Sequence, residues 1–240
     1  RKTESTKLQR LRDLKPLLRL ERIEDNLFRG QSRDIGTRFV FGGQVLGQAL
    51  SAAQRTVEPV RAAHSIHAYF LRAGDIEHPI VYQVDETRTG GSFSVRRVTA
   101  IQHGKPIFVM SGSFHAPEVS VEHQISPPDV PMPEDLPESP SLPQEELEKL
   151  PAKTQRWLSK RSAFEFRHVY PRNELAPTKR PPSQQIWFRL VDKIDAEPAM
   201  HQSLLAYASD FHLLGTSTLP HAVSYLQPNV QMASLDHALW

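Results

Sequence analysis

Along the first half of the chain the apolar positions change period from helical to alternating. In FGGQVLGQALSAAQRTV (41–57), Val45, Ala49 and Ala52 share one helical face, with Leu46, Leu50 and Ala53 beside them. That spacing predicts a helix with a broad stripe of mostly small apolar residues. Gly42, Gly43 and Gly47 stand near its start. A glycine inside a helix costs about 1 kcal/mol relative to alanine, so Gly47 implies that something, expected to be a sheet, approaches the helix backbone closely. The period then falls to two. Residues 64–71 are rich in β-formers, and Ile80, Tyr82 and Val84 alternate with polar neighbours in 80–86. Runs 92–101 and 107–114 are separated by the turn signal His103-Gly104, and Thr89-Gly90-Gly91 marks a second turn. One helix followed by long antiparallel strands predicts an α+β unit in which a sheet wraps a helix.

From residue 117 to 151 the pattern dissolves. Pro127, Pro128, Pro131, Pro133, Pro137, Pro140, Pro143 and Pro151 are interspersed with acids such as Glu134, Asp135, Glu145 and Glu146. Prolines at this density cannot continue a hydrogen-bonded ladder, which predicts an extended linker, with a short helix over 144–158. Patterning resumes with strand-like runs 164–169 and 185–191 and a helical run 201–214, which places Leu204, Ala208 and Phe211 on one side. The last run, VQMASLDHALW (230–240), reads as a strand. A weak repeat links the halves: QVLGQALS (44–51) overlays QSLLAYAS (202–209), and IHAYF (66–70) overlays DHALW (236–240). The expected division is an extension over 1–19, a first domain over 20–116, the linker over 117–158 and a second domain over 159–240. In the extension, Leu8, Leu11, Leu14 and Leu18 recur at roughly helical spacing, which predicts a surface helix or a loose arm.

Composition narrows the chemistry. With no cysteine, disulfides, thiolate catalysis and Cys-ligated metals are excluded. A formal net charge of +2 is too weak and scattered to argue for nucleic acid and suits an anionic small molecule. No window approaches the roughly 18 apolar residues of a membrane-spanning helix. The G-x-S-x-G, H-E-x-x-H, G-x-G-x-x-G and P-loop signatures are absent, and the eleven histidines show no metal-ligand spacing.

Two places could carry chemistry. Asp210, in AYASDFHLL, sits in an otherwise apolar helix, where a carboxylate must be paired or must face a cleft; a structural cap is the commoner role. Ser234 and Asp236 are two apart on the terminal run and so share a strand face. Asp236 and His237 are adjacent and point to opposite faces, which favours a core histidine over half of a triad. Gly42-Gly43 could offer backbone N–H groups to a carbonyl or phosphate, although packing is the commoner use.

The runs LFRGQSRDIGTRFVFGGQVLGQAL, HSIHAYFLRAGD, RTGGSFSVRRVTAIQHGKPIF, YASDFHLL and MASLDHALW resemble the acyl-CoA thioesterase II family, in order and over nearly the whole chain from Leu20. The resemblance implies a double hot-dog fold, with the second hot dog incomplete at Trp240. It implies hydrolysis of fatty acyl-CoA to free acid and CoA without a covalent nucleophile, cofactor or metal. The family's water-activating group is an Asp, a Thr or Ser, and a Gln. The Asp falls on Asp210 and the hydroxyl on Ser234; the Gln falls beyond Trp240, and neither Gln227 nor Gln231 is assigned its role. This span alone is therefore expected to hydrolyse acyl-CoA more slowly than a longer form. Arg72, Arg88, Arg96, Arg97 and Lys105 are candidate partners for CoA phosphates, against the commoner role of solvated strand charges. Two alternatives stand beside this reading: a hot-dog hydratase recruiting His64 or His67, and a non-catalytic acyl-CoA-binding remnant. The implied partner is an acyl-CoA substrate, with no nucleic acid or membrane, and a homo-oligomer is left open. Cytoplasm is the expected compartment, with the peroxisomal matrix as the alternative.

Overall fold

The computed structural model describes residues 11, 13–137, 144–150, 152, 155, 162–227 and 229–240. Leu8 and much of the helix expected over 144–158 lie outside the described residues. The chain divides into two compact units. One holds Arg12–Val119, Ile194–Phe211 and Ser234–Trp240, and the other holds Arg1–Leu11, Ser120–Lys193 and His212–Ala233.

The first of these is built on a seven-stranded sheet of β1 (Glu21–Glu24), β2 (Leu27–Gly30), β3 (Ala62–Phe70), β4 (Ile80–Thr89), β5 (Phe93–Gln102), β6 (Lys105–His115) and β9 (Asp236–Leu239). Their order in space is β1-β2-β4-β5-β6-β3-β9, and every pair is antiparallel. Helix α1 (Gly42–Gln54) lies against this sheet. Its Val45, Leu46, Ala49, Leu50 and Ala53 are buried with Ile66, Tyr82, Val98, Phe108, Met110 and Phe114 of the strands. Burial of each large side chain is worth about 1.5–3 kcal/mol. This is the helix-wrapping sheet that the change of period predicts. Strands β1 and β2 were not expected from the sequence, because four-residue strands are too short to show alternation clearly.

Residues 13–18 are helical, and Leu14, Leu17 and Leu18 are buried. Gln48 Nε2 donates to the Leu17 carbonyl at 2.7 Å and Ser51 Oγ to the Leu18 carbonyl at 2.7 Å. This stretch is therefore docked on α1, the packed form of the two expected for it.

A second helix, α3 (Pro198–Ser209), packs on α1. A Cβ on Gly47 would lie 2.9 Å from the Ser203 carbonyl oxygen, and one on Gly43 would collide with that of Tyr207. These glycines thus admit a helix backbone rather than the sheet expected from the sequence. β9 extends the sheet on β3, and the two His-Ala dipeptides meet there: His67 is opposite Ala238, and Ala68 opposite His237. The segments that overlay in sequence are therefore paired in space, antiparallel, as a local two-fold relation requires.

In the other unit, β7 (Phe164–His168) and β8 (Ile186–Leu190) form a two-stranded antiparallel sheet. The proline-rich segment passes along it. Arg167 Nη1 donates to the carbonyls of Pro133 and Leu136, at 2.6 and 2.8 Å, and Trp187 Nε1 to that of Pro131 at 3.0 Å. This unit also contains the short helix α2 (Gln144–Glu148) and 3₁₀ turns over Pro133–Asp135 and Leu214–His221. None of the helices described is long and apolar enough to cross a membrane.

Candidate active site

Asp210 is the residue at which α3 ends, with φ −86° and ψ −6°. The N-terminus of α1 begins after Phe41, which supplies no side-chain cap. Asp210 supplies one from the neighbouring helix, because the Gly43 N–H donates to its carboxylate. A Cβ on Gly42 would lie 2.6 Å from Asp210 Oδ2, so a side chain there would displace the carboxylate. The backbone N–H of Gly43 therefore serves Asp210 directly instead of waiting for a ligand. Helix N-termini favour negative charge at such a point.

Ser234 Oγ donates to Asp210 Oδ1 at 3.4 Å. His237 brings Nδ1 to 3.8 Å from the same oxygen. The terminal strand starts only at Asp236, so strict alternation does not extend back to Ser234. Ser234 and His237, three apart, both reach Asp210, while Asp236 is exposed. The shared face expected for Ser234 and Asp236 is thus not formed.

His237 is buried, as expected of a core histidine, but only one of its ring nitrogens is satisfied. Ser209 Oγ donates to the Ala206 carbonyl at 2.8 Å and lies 2.9 Å from His237 Nε2. With its own hydrogen committed, the hydroxyl accepts from Nε2–H, which leaves Nδ1 as an acceptor. That nitrogen has no hydrogen-bond partner among the described residues. Burial lowers the pKa of His237, against a smaller upward pull from Asp236, so the ring is neutral at pH 7. Nδ1 and the Asp210 oxygen 3.8 Å away are thus both hydrogen-bond acceptors.

Burial pushes the Asp210 carboxyl up to about 6, with the Gly43 N–H and Ser234 opposing the rise. A carboxylate with that pKa is mostly ionised at pH 7 yet basic enough to take a proton in a reaction. Around it, Phe41 packs edge-on to Tyr207, with ring centroids 5.3 Å apart, and against Phe211 at 4.4 Å. Burial pushes the Tyr207 hydroxyl up to about 12, so it stays neutral.

The other candidates fall elsewhere. Arg96 is 1 % exposed, and its N–H groups are spent on Thr56, Glu86, Arg88, Thr89 and Val95. It is a structural arginine and cannot meet a CoA phosphate. Arg72, Arg88, Arg97 and Lys105 are exposed, and Arg72 Nη1 donates to the Pro106 carbonyl at 2.6 Å. His64 and His67 lie on the exposed face of β3, opposite to buried Ile66 and Ala68. His64 bonds Ser113 at 2.8 Å and His67 sits edge-on to Trp240; neither is joined to a carboxylate, as a hydratase pair would require. A cavity of about 310 Å³ in the other unit is lined by Pro133, Glu134, Glu165, Arg167, Trp187, Phe188 and Arg189, and contains none of the site residues.

Helices packed against antiparallel sheet, with a sequence repeat relating one helix-and-strand set to the other, are the features of a double hot-dog fold. Residues 29–115 match the family model described as acyl-CoA thioesterase N-terminal domain, and residues 157–240 match that described as acyl-CoA thioesterase. The chain is 41% identical over 230 residues to acyl-CoA thioesterase 2 of Haemophilus influenzae, which covers 96% of this chain and 80% of that protein. It is 40% identical over 233 residues to human acyl-coenzyme A thioesterase 8, covering 93% of this chain and 72% of that one. Among solved structures, an acyl-CoA thioesterase II of Mycobacterium marinum superposes with a TM-score of 0.71 at 38% identity, over 95% of this chain and 77% of that one. A hot-dog protein from Alicyclobacillus acidocaldarius shares the fold, with a TM-score of 0.72 at 17% identity. The chain belongs to the acyl-CoA thioesterase II family and is a thioester hydrolase.

Proposed function

We propose that Asp210 and Ser234 activate a water molecule that attacks the thioester carbonyl of a fatty acyl-CoA, releasing the free acid and CoA. The observation that carries this reading is the buried Asp210 carboxylate, held at a pKa of about 6 beside a hydroxyl 3.4 Å away. The water donates one hydrogen to Asp210 Oδ1, and Ser234 Oγ, whose own hydrogen is on the same carboxylate oxygen, accepts the other, which fixes the orientation of the water and leaves a lone pair free for the carbonyl carbon. As the C–O bond forms, Asp210 takes the water's proton. Collapse of the tetrahedral intermediate breaks the C–S bond, and the departing thiolate receives that proton. No covalent enzyme intermediate is needed, because a thioester is already electrophilic and the positioning of water supplies much of the advantage. The glutamine of the family pattern is assigned to no residue of these 240. Residues 159–240 are taken as part of the second hot dog, and the cytoplasm as the compartment.

The test is thiol release from a medium-chain acyl-CoA. Asp210→Asn should lower kcat by about 10²–10⁴ with KM little changed, as loss of a general base does. Ser234→Ala should lose less, and Ser234→Thr should restore most of the rate. Single-turnover hydrolysis in ¹⁸O-water should place the label in the fatty acid and none in Asp210. Full activity of Asp210→Asn would end the proposal.

A further inference from the structure

Away from Asp210, one group of described side chains has the composition and spacing of a metal site. Asp75, His78 and His103 each bring a ligand atom within 4.8 Å of the other two. Asp75 Oδ2 lies 2.8 Å from His78 Nδ1 and 3.1 Å from His103 Nε2. The two imidazoles are 4.6 Å apart between centroids and close to perpendicular, at 73°, so neither blocks the other's lone pair. Both rings are exposed and open to solvent.

The backbone beneath them is fixed from inside the fold. Gln102 is buried. Its Nε2 donates to the carbonyls of Asp75 and His78, both at 2.9 Å, and its Oε1 accepts the Asp75 N–H at 2.8 Å. The second oxygen of Asp75 accepts the Glu77 N–H at 2.9 Å. His103 follows Gln102 directly, at the β5–β6 turn, with φ +49°. One buried amide thus sets the positions of the loop carrying two ligands and of the turn carrying the third. Little ordering entropy then remains to oppose an incoming ion.

We propose that Asp75, His78 and His103 bind a divalent transition ion of the zinc or cobalt type, which fastens the 72–79 loop to the β5–β6 turn. Two imidazole nitrogens and one carboxylate oxygen suit Zn²⁺, Co²⁺, Ni²⁺ or Cu²⁺ over Mg²⁺ and Ca²⁺, which prefer all-oxygen sets. Three protein ligands leave at least one position for water. The thioesterase reaction needs no ion there, so the role is a structural clamp. Sequence spacing hid the group, because His103 joins Asp75 and His78 only when β4 and β5 pair.

The experiment uses untagged protein, stripped with EDTA, dialysed, and titrated with Co²⁺ by visible d–d absorption and with Zn²⁺ by calorimetry. One equivalent should bind, and Tm should rise with Zn²⁺, since an ion that binds only the folded state stabilises it. His78→Ala and His103→Ala should each weaken binding about tenfold or more, whereas His201→Ala, an exposed histidine on α3, should not. Asp75→Asn, which keeps an acceptor for the Glu77 N–H, provides a second route to the same loss if an alanine variant misfolds. Binding of equal strength in the His78→Ala/His103→Ala double variant, or none in the wild-type chain, would overturn the site.

Discussion

Asp210 carries its charge where burial opposes it, and this conflict should appear in both stability and rate. Its folded pKa of about 6 lies above the ordinary 3.8. Below about pH 4 the carboxyl is neutral whether the chain is folded or not, and its burial carries no ionic penalty. Between 4 and 6 the unfolded chain ionises first, so stability falls by up to about 3 kcal/mol and then levels off. Asp210→Asn should therefore be more stable than wild type at pH 8 and match it near pH 4, in denaturant titrations at each pH. A variant no more stable at pH 8 would mean that the Gly43 and Ser234 hydrogen bonds repay the burial in full. The same pKa predicts that kcat/KM rises with pH through about 6, because only the ionised carboxylate accepts a proton. At Asp210 the residues alone made legible only that a charge in an apolar helix demands a partner; its proposed role as a base came through family resemblance. Ser234 came only through family resemblance, since strand alternation placed it beside Asp236. The approach of His237 was not legible, because it depends on irregular chain just ahead of β9.

The crossing of α1 and α3 brings the end of one helix against the start of the other, with Asp210 beside Gly42 and Gly43. Gly43 meets the Tyr207 carbonyl, Gly47 meets that of Ser203, and Gln202 bonds both the N–H and the carbonyl of Ala63 on β3. Gly43→Ala would push a methyl group into backbone that cannot swing aside, so it should cost about 1–3 kcal/mol. It should also draw Asp210 away from the N-terminus of α1, lowering kcat more than it raises KM. Thermal melts and steady-state kinetics on one preparation would check both effects; an unchanged Tm would mean that the helices can separate freely. The glycines announced a close contact in the sequence, but glycine spacing reports only that something is near. It took α3, about 150 residues further along the chain, to show that the neighbour is a helix.

At the scale of the molecule, segments far apart in sequence pack together within one unit. The exposed segment holding Glu118 and Glu122 separates β6 from everything that follows, yet α3 and β9 pack in the same unit as β3 and α1. Cleavage there by a Glu-specific protease should leave two fragments that travel together on size exclusion and separate only in denaturant. Fragments that part in native buffer would show that the β3–β9 pairing is too weak to hold them. The alternation of the first half made its sheet legible, and the prolines announced a segment without ladder pairing. The joining of terminal strand to first sheet was not, since a strand's periodicity never names its partner. The pairing of His67-Ala68 with His237-Ala238 also sets the two copies of the repeat side by side. Where Ser209 is followed by Asp210, the matching Ser51 is followed by Ala52, fully buried in the core. The two copies of the repeat are therefore unequal at this position: one ends its helix on an acid, and the other fills the same place with a packed methyl group.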